Sequence, residues 1–170
     1  FSGSLTGPYS DLGVQGRNGA TLAMEDLNAR GGVAGRTLTL LVEDDLGTAE
    51  GTTAADARLY AKGVAAIIGH MTSGLTAAAL PGAEKARRVL FSPSSSSPLF
   101  TGKKDALFRS VTTSEDEAAA LAEHIRGYRE IARAHIVTDS DNAAYTGPFA
   151  ESFAAVFTQK GGMVVSRQAF

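Results

Sequence analysis

The feature that most constrains this chain is Val64–Leu80, VAAIIGHMTSGLTAAAL, where a short apolar run breaks into a small polar loop and then becomes a helix. Val64 to Ile68 is small and β-branched, which reads as a strand buried on both faces. Gly69-His70-Met71-Thr72-Ser73-Gly74 follows, and an alanine-rich helix starts there. A helix start leaves its first backbone N–H groups without partners, and this loop offers two hydroxyls and two glycines at that point. In an open α/β sheet, ligands sit beyond the carboxyl ends of strands, and helix N-termini there favour anions. A second loop of the same kind follows, Val89-Leu90-Phe91 running into Ser92-Pro93-Ser94-Ser95-Ser96-Ser97-Pro98. Two hydroxyl-rich loops after neighbouring strands predict a hydrogen-bonding pocket, and that pocket is the candidate site.

The rest of the chain repeats this rhythm. Gly3–Gly13 reads as a loop, and Val14–Arg30 places Ala20, Ala23, Met24 and Leu27 at helical spacing before Gly31-Gly32 stops it. Thr37–Val42 (TLTLLV) reads as a strand closed by Glu43-Asp44-Asp45, and Gly51–Lys62 as a helix. Leu107–Val111 makes a brief strand. Ser114 and Glu117 then fit a capping box, opening a helix with Ala118, Leu121, Ala122 and Ile125 on one face. Ala134–Thr138 reads as a strand and Asp139–Ala144 as a polar loop. Phe149, Phe153, Val156 and Phe157 give an amphipathic helix, followed by a strand over Met163–Phe170. Strand and helix alternate throughout, so the fold class is α/β with parallel sheets and right-handed crossovers. Phe1-Ser2-Gly3 reads as the tail of a strand, and a final uncovered strand would be an edge that folds usually avoid. Both ends are therefore expected to belong to a larger protein.

Composition narrows the function classes. Lys+Arg 16 against Asp+Glu 18, with no basic block, argues against nucleic acid or an anionic membrane surface as partner. With 44% hydrophobic residues the chain can build a core. No apolar run approaches the length of a membrane span. Cysteine is absent, which excludes disulfides and thiol catalysis.

Catalytic and cofactor motifs fail one by one. There is no G-x-G-x-x-G in the first loop and no G-x-x-x-x-G-K-[ST] anywhere, so no nucleotide cofactor is expected. Asp44-Asp45 could mimic a ribose-binding acid, but without the glycine fingerprint helix capping or loop hydrogen bonding is the expectation. His70 lies three residues before Ser73, but G-x-S-x-G is absent, and a satisfied structural histidine is the expectation. The histidines at 70, 124 and 135 show no metal-ligand spacing, so no metal is expected. Tyr145 leaves two readings open, a packing residue or a ring turned to a ligand.

These residues carry a family likeness. GSLTGPYSDLGVQGRNGATLAMEDLNARGGVAG resembles the N-terminal segment of the type I periplasmic solute-binding proteins of ABC transporters, nearest the leucine/isoleucine/valine-binding group. Matching tokens are SLTGP, the A-x-x-D-L/I-N-A-x-G-G-V helix end, Glu43-Asp44-Asp45, IIGHMTSGLT, LFSPSSSSPLFTGK, LFRSVTTSEDEAA and the DSDNAAY turn, colinear over the whole chain.

The resemblance implies two α/β lobes that close on a ligand in the cleft between them, only part of each being present here. Residues 1–118 would form the first half of lobe one, with Ser114–Ala118 as the first crossing, and residues 119–170 would open lobe two. Ligand-binding residues would be Met71, Thr72 and Ser73 from one loop and Ser94, Ser95 and Ser96 from the next. Leu12, in the first loop, would touch the ligand side chain, and Tyr145 would close from lobe two. Serine at 96 departs from a frequent threonine. The partners implied are an amino-acid-like or carboxylate ligand and the membrane permease of an ABC transporter, in the periplasm or on a lipid-anchored extracellular protein. The alternative on the same fold is the sensing domain of a regulator or receptor. An enzyme is not expected, His70 being the only visible candidate.

Overall fold

The computed structural model describes residues 1–128 and 131–170. The elements run β1 (Ser2–Gly3), α1 (Ser10–Ala29), β2 (Glu43–Asp44), α2 (Ala49–Ala61), β3 (Ala66–Ile68), α3 (Ser73–Ala86), β4 (Val89–Ser92), a 3-10 turn (Pro98–Phe100), β5 (Leu107–Arg109), α4 (Ser114–Tyr128), β6 (Arg133–Thr138), α5 (Ala143–Gln159) and β7 (Met163–Ala169). All strand pairings in the sheets are parallel: β1 with β2, β3 with β4 with β5, and β6 with β7. The alternation of strand and helix is thus a parallel α/β fold, as the punctuation predicts.

The chain divides into two compact units, Phe1–Ser95 with Lys104–Ser110, and Ser96–Lys103 with Val111–Phe170. The expected boundary between residues 118 and 119 lies inside α4, a continuous helix of the second unit.

In the first unit β3 alternates. Ile67 is fully buried and packs with Leu59 of α2, Ala79 and Ala83 of α3 and Leu90 of β4. Ala66 and Ile68 point the other way, into an apolar groove of about 410 Å³ shared with Ala20, Ala23, Met24 and Leu27 of α1 and with residues 38–41. Helices therefore cover both faces of the strand. The expectation of complete burial on both faces fails on the α1 side, where Ala66 is exposed. A Cβ at Gly13 would lie 1.8 Å from the Ser4 carbonyl oxygen, so α1 crosses the chain after β1 only because residue 13 is glycine.

The run Thr37–Val42 does not form the expected ladder. Only Glu43 and Asp44 pair, with Ser2 and Gly3, because β1 offers no longer a neighbour. The run is instead fastened individually: the Phe1 backbone nitrogen donates to the Leu41 carbonyl at 2.6 Å, and the Asn28 side chain bridges the Leu38 N–H and carbonyl at 2.7 and 2.9 Å.

In the second unit α4 and α5 pack on each other around Ala118, Ala122, Ile136, Ala150, Phe153, Ala154 and Phe157. Phe153 and Phe157 stack at 5.2 Å. The α4 cap is one residue earlier than the sequence suggested. The Ser114 N–H is drawn to the Ser96 carbonyl at 2.8 Å, so Thr113 takes the cap, accepting from the Asp116 N–H at 3.1 Å and donating to its carboxylate at 2.6 Å.

Candidate functional site

The site is built on the carboxyl ends of β3 and β4 in the first unit. After Ile68 the chain passes through Gly69, whose φ of +145° suits glycine and where a Cβ would lie 1.9 Å from the Ser2 carbonyl oxygen. His70, Met71 and Thr72 follow, and α3 begins at Ser73. Thr72 is the cap: its backbone is extended and its hydroxyl accepts from the Leu75 N–H at 3.4 Å. The first turns of α1, α2 and α4 carry acidic residues, whereas that of α3 has none. The positive end of the α3 dipole is therefore not offset by a carboxylate of its own, the arrangement that favours an anion.

The loop after β4 lies against this one. The Ser94 hydroxyl donates to the Met71 carbonyl at 2.8 Å, and the Ser92 hydroxyl donates to the His70 carbonyl at 2.7 Å. Thr76 Oγ1 and Ser95 Oγ are 2.6 Å apart, and Ser92 and Ser95 hydroxyls 2.9 Å. All three of these last hydroxyls are buried.

This geometry sorts the expected ligand residues. Thr72 and Ser73 are buried at the start of α3, and Ser94 is half-buried at the join of the two loops. The Ser95 hydroxyl belongs to the internal network. The Met71 side chain is turned to α1, since a Cβ on Gly16 would meet its sulfur at 2.7 Å, which leaves its backbone to the site. Leu12 is not in a loop but in the first turns of α1, 48% exposed, because the helix starts at Ser10 rather than at Val14. Ser96 and Tyr145 belong to the second unit. Ser96 is buried. Tyr145 is half-buried in the first turn of α5, its ring 5.7 Å from that of Phe149. With Leu121, Ile136, Phe149 and Phe153 it lines a groove of about 410 Å³. Burial, and secondarily the Glu117 charge, push its phenol above the usual 10, so the ring is a neutral phenol at physiological pH.

Beneath the first loop lies a cluster of buried charge. His70 Nδ1 is 2.6 Å from Asp45 Oδ2, and His70 Nε2 is 3.2 Å from both oxygens of Asp56. Asp45 also accepts from the Ser4 hydroxyl at 2.7 Å and the Gly47 N–H at 2.9 Å. Burial alone would lower the His70 pKa, but the two carboxylates overcome it and hold the ring above its usual 6.5. Burial would raise Asp45, yet His70 and Ser4 bring it below 3.8. Asp44 accepts from the Leu5 and Leu46 N–H groups at 2.9 Å and the Thr6 hydroxyl at 2.7 Å. The acidic pair is thus the loop hydrogen-bonding device its position suggests, and His70 is a satisfied histidine. Asp56 and Thr76 escaped the sequence reading. The signal for Asp56 was its place among Thr52, Ala55 and Leu59 on one face of α2, the face that is buried. Among the described residues, no group of three His, Cys, Asp or Glu side chains could hold a metal ion.

A family model described as periplasmic binding protein matches residues 1–170. A Leu/Ile/Val-binding protein, BraC3 of Rhizobium johnstonii, is 25% identical over 158 residues, covering 92% of this chain and 42% of the relative. The leucine binding protein LivK of Thermotoga maritima superposes with a TM-score of 0.89 at 26% identity, over 99% of this chain and 47% of that one. The branched-chain amino acid transporter substrate binding protein LivJ of Streptococcus pneumoniae, solved with isoleucine, has the same fold, with a TM-score of 0.90 at 24% identity over 100% of this chain and 48% of that one. The chain thus spans about half the length of the proteins it matches.

Proposed function

This chain belongs to the periplasmic binding protein family, whose members bind substrates and are not enzymes, and from that premise we propose that it forms part of the solute-binding protein of an ABC importer. The proposed ligand is a small amino-acid-like molecule or related carboxylate. The observation that carries the reading is the junction of the two hydroxyl-rich loops at the α3 N-terminus, latched by Ser94 on Met71 and free of any acidic residue in the first helical turn. A ligand carboxylate placed there meets backbone N–H groups, the Ser73 hydroxyl and the positive helix end together.

In this reading Met71, Thr72 and Ser94 contribute main-chain groups, and Ser73 contributes its side chain. Ser96 and Tyr145 are assigned to the ligand on the family resemblance alone, as are the lobes 1–118 and 119–170. Leu12, exposed on α1, is assigned to the ligand side chain on the same ground. The whole protein would work in the periplasm and hand its ligand to a membrane permease. The likeness to Leu/Ile/Val-binding and leucine binding proteins above supports branched-chain amino acids as the first ligands to try.

The test is calorimetric titration of the whole protein with L-leucine, L-isoleucine, L-glutamine and benzoate. Saturable binding of one of these, lost on Ser73→Ala, is the expected result. Binding of none of them would overturn the ligand class.

A further inference from the structure

His70 sits at the crossing of four segments. Its ring faces Asp45, from the end of β2, and Asp56, from α2, while its carbonyl oxygen collects the Ser92 hydroxyl from the end of β4. Its own chain leads directly into Met71, Thr72 and Ser73. The ring is entirely enclosed, at 0% exposure. A neutral imidazole has one N–H and one bare lone pair. With a carboxylate at each nitrogen, the bare side would face an anion at 2.6 or 3.2 Å with no solvent to intervene. A ring carrying both protons donates to each carboxylate.

We propose that His70 is a positioning residue for ligand binding: its doubly donating ring, held between Asp45 and Asp56, fixes the main chain that presents Thr72 and Ser73. This inference rests on the assignment of that loop to the ligand. When the ring loses a proton, one of the two tethers becomes a repulsion. The longer contact, to Asp56, is the one that yields, and the loop loosens from α2. The charged and titratable groups around the ring are few. Asp45 and Asp56 touch it, and the Tyr60 phenol, pushed up to about 12 by burial and then by the Asp56 charge, lies beyond. The α3 and β4 sides offer the hydroxyls of Thr76, Ser92 and Ser95. Burial pulls the ring toward neutrality and the two carboxylates outweigh it, in agreement with the geometry.

The experiment follows the ring nitrogens of 15N-histidine in the whole protein by NMR, from about pH 5 to about pH 9. Amide hydrogen exchange of Thr72–Leu75 and calorimetric affinity for L-leucine are measured over the same range, in the wild type and in Asp56→Asn. The expected result is that both His70 nitrogens carry protons at neutral pH. Loop protection, with the intrinsic pH dependence of amide exchange divided out, and leucine affinity should each fall by about tenfold as one proton leaves, the loss of one charge-assisted hydrogen bond. Asp56→Asn should shift both curves together to lower pH. A single proton on His70 at neutral pH overturns the proposal. So does loop exchange that ignores both the His70 titration and Asp56→Asn, whether or not the ring titrates within the range. Failure of the wild type to bind L-leucine at any pH bears on the ligand class alone, and the exchange data then decide the role of His70.

Discussion

The Ser94 hydroxyl donates to the Met71 carbonyl oxygen at 2.8 Å, so the loop after β4 is latched to the loop after β3 by a side chain that is only half-buried. One residue on, Ser95 is fully buried and bonded to Thr76 and Ser92. Neighbouring serines in one run thus have different tasks. The first joins two loops at the surface of the site, and the second fills a closed polar network beneath it.

That difference predicts unequal losses of stability for two alanine variants. Ser95→Ala takes one partner each from the enclosed Thr76 and Ser92 hydroxyls, leaving both to the His70 carbonyl, and should lower stability by about 1–3 kcal/mol. Ser94→Ala removes one hydrogen bond near solvent, so its cost should be about 0.5–1.5 kcal/mol while the loop junction loosens. Urea unfolding of both variants beside leucine titration checks this. Equal losses of stability would mean that the network is no more enclosed than the latch.

Ser73→Ala should weaken leucine binding by about ten- to a hundredfold, the worth of a hydrogen bond to a charged ligand group. The Thr72 cap is untouched, so α3 keeps its start and the unfolding midpoint should change little. Unaltered affinity in the calorimeter would remove Ser73 from the ligand contacts.

The cluster under the loop predicts a pH window for stability. His70 is raised above 6.5 in the fold, so its contribution is complete below 6.5 and is lost as the pH rises through the folded value. Asp45 is depressed below 3.8, so its contribution is complete above 3.8 and is lost as the pH falls through the folded value. The stability gap between wild type and His70→Gln should be widest between these limits and narrow outside them. The substitution removes the cation from between two buried carboxylates, and inside the window it should cost about 3–5 kcal/mol. Denaturant unfolding at a series of pH values measures the gap; a gap independent of pH would mean that His70 is neutral in the fold.

Much of this was legible in the residues. The apolar run, polar loop and alanine-rich helix of Val64–Leu80 give strand, loop and helix in that order, because a short β-branched run and a hydroxyl at a helix start are strong local signals. The parallel pairing followed from the alternation. What the sequence did not carry was pairing over distance. TLTLLV has strand chemistry, yet a ladder needs a partner, and β1 pairs only with Glu43 and Asp44, which follow the run. Which nearby hydroxyl caps a helix is equally non-local, since the Ser96 carbonyl decided between Thr113 and Ser114. The serine run could be recognised as a site, but no pattern within it says that Ser95 turns inward. That depends on Thr76, one helical turn along a different element.

Tyr145 is where the two open readings of the sequence can be separated. Its ring rests beside Phe149, which is packing, and its place in the first turn of α5 is where the resemblance puts a ring over the ligand. A covering ring acts by making contacts that exist only with the ligand enclosed, and a ligand shifts an equilibrium by no more than such differential contacts. Removing them shortens residence without touching the hydrogen bonds of the Ser73 loop. Tyr145→Ala should therefore raise the leucine dissociation rate of the whole protein in stopped flow, with a smaller change in association. Tyr145→Phe keeps the ring against Phe149 and deletes only a hydroxyl that is un-ionised at physiological pH, so it should dissociate at nearly the wild-type rate if cover is what matters. A packing residue behaves otherwise. Tyr145→Ala would then lower stability, by less than the about 3–5 kcal/mol of a fully buried aromatic because the ring is only half-buried, and leave dissociation unchanged. Faster dissociation in Tyr145→Phe as well would move the contact from the ring to its hydroxyl, and an unchanged rate in both variants would return Tyr145 to the packing of α5.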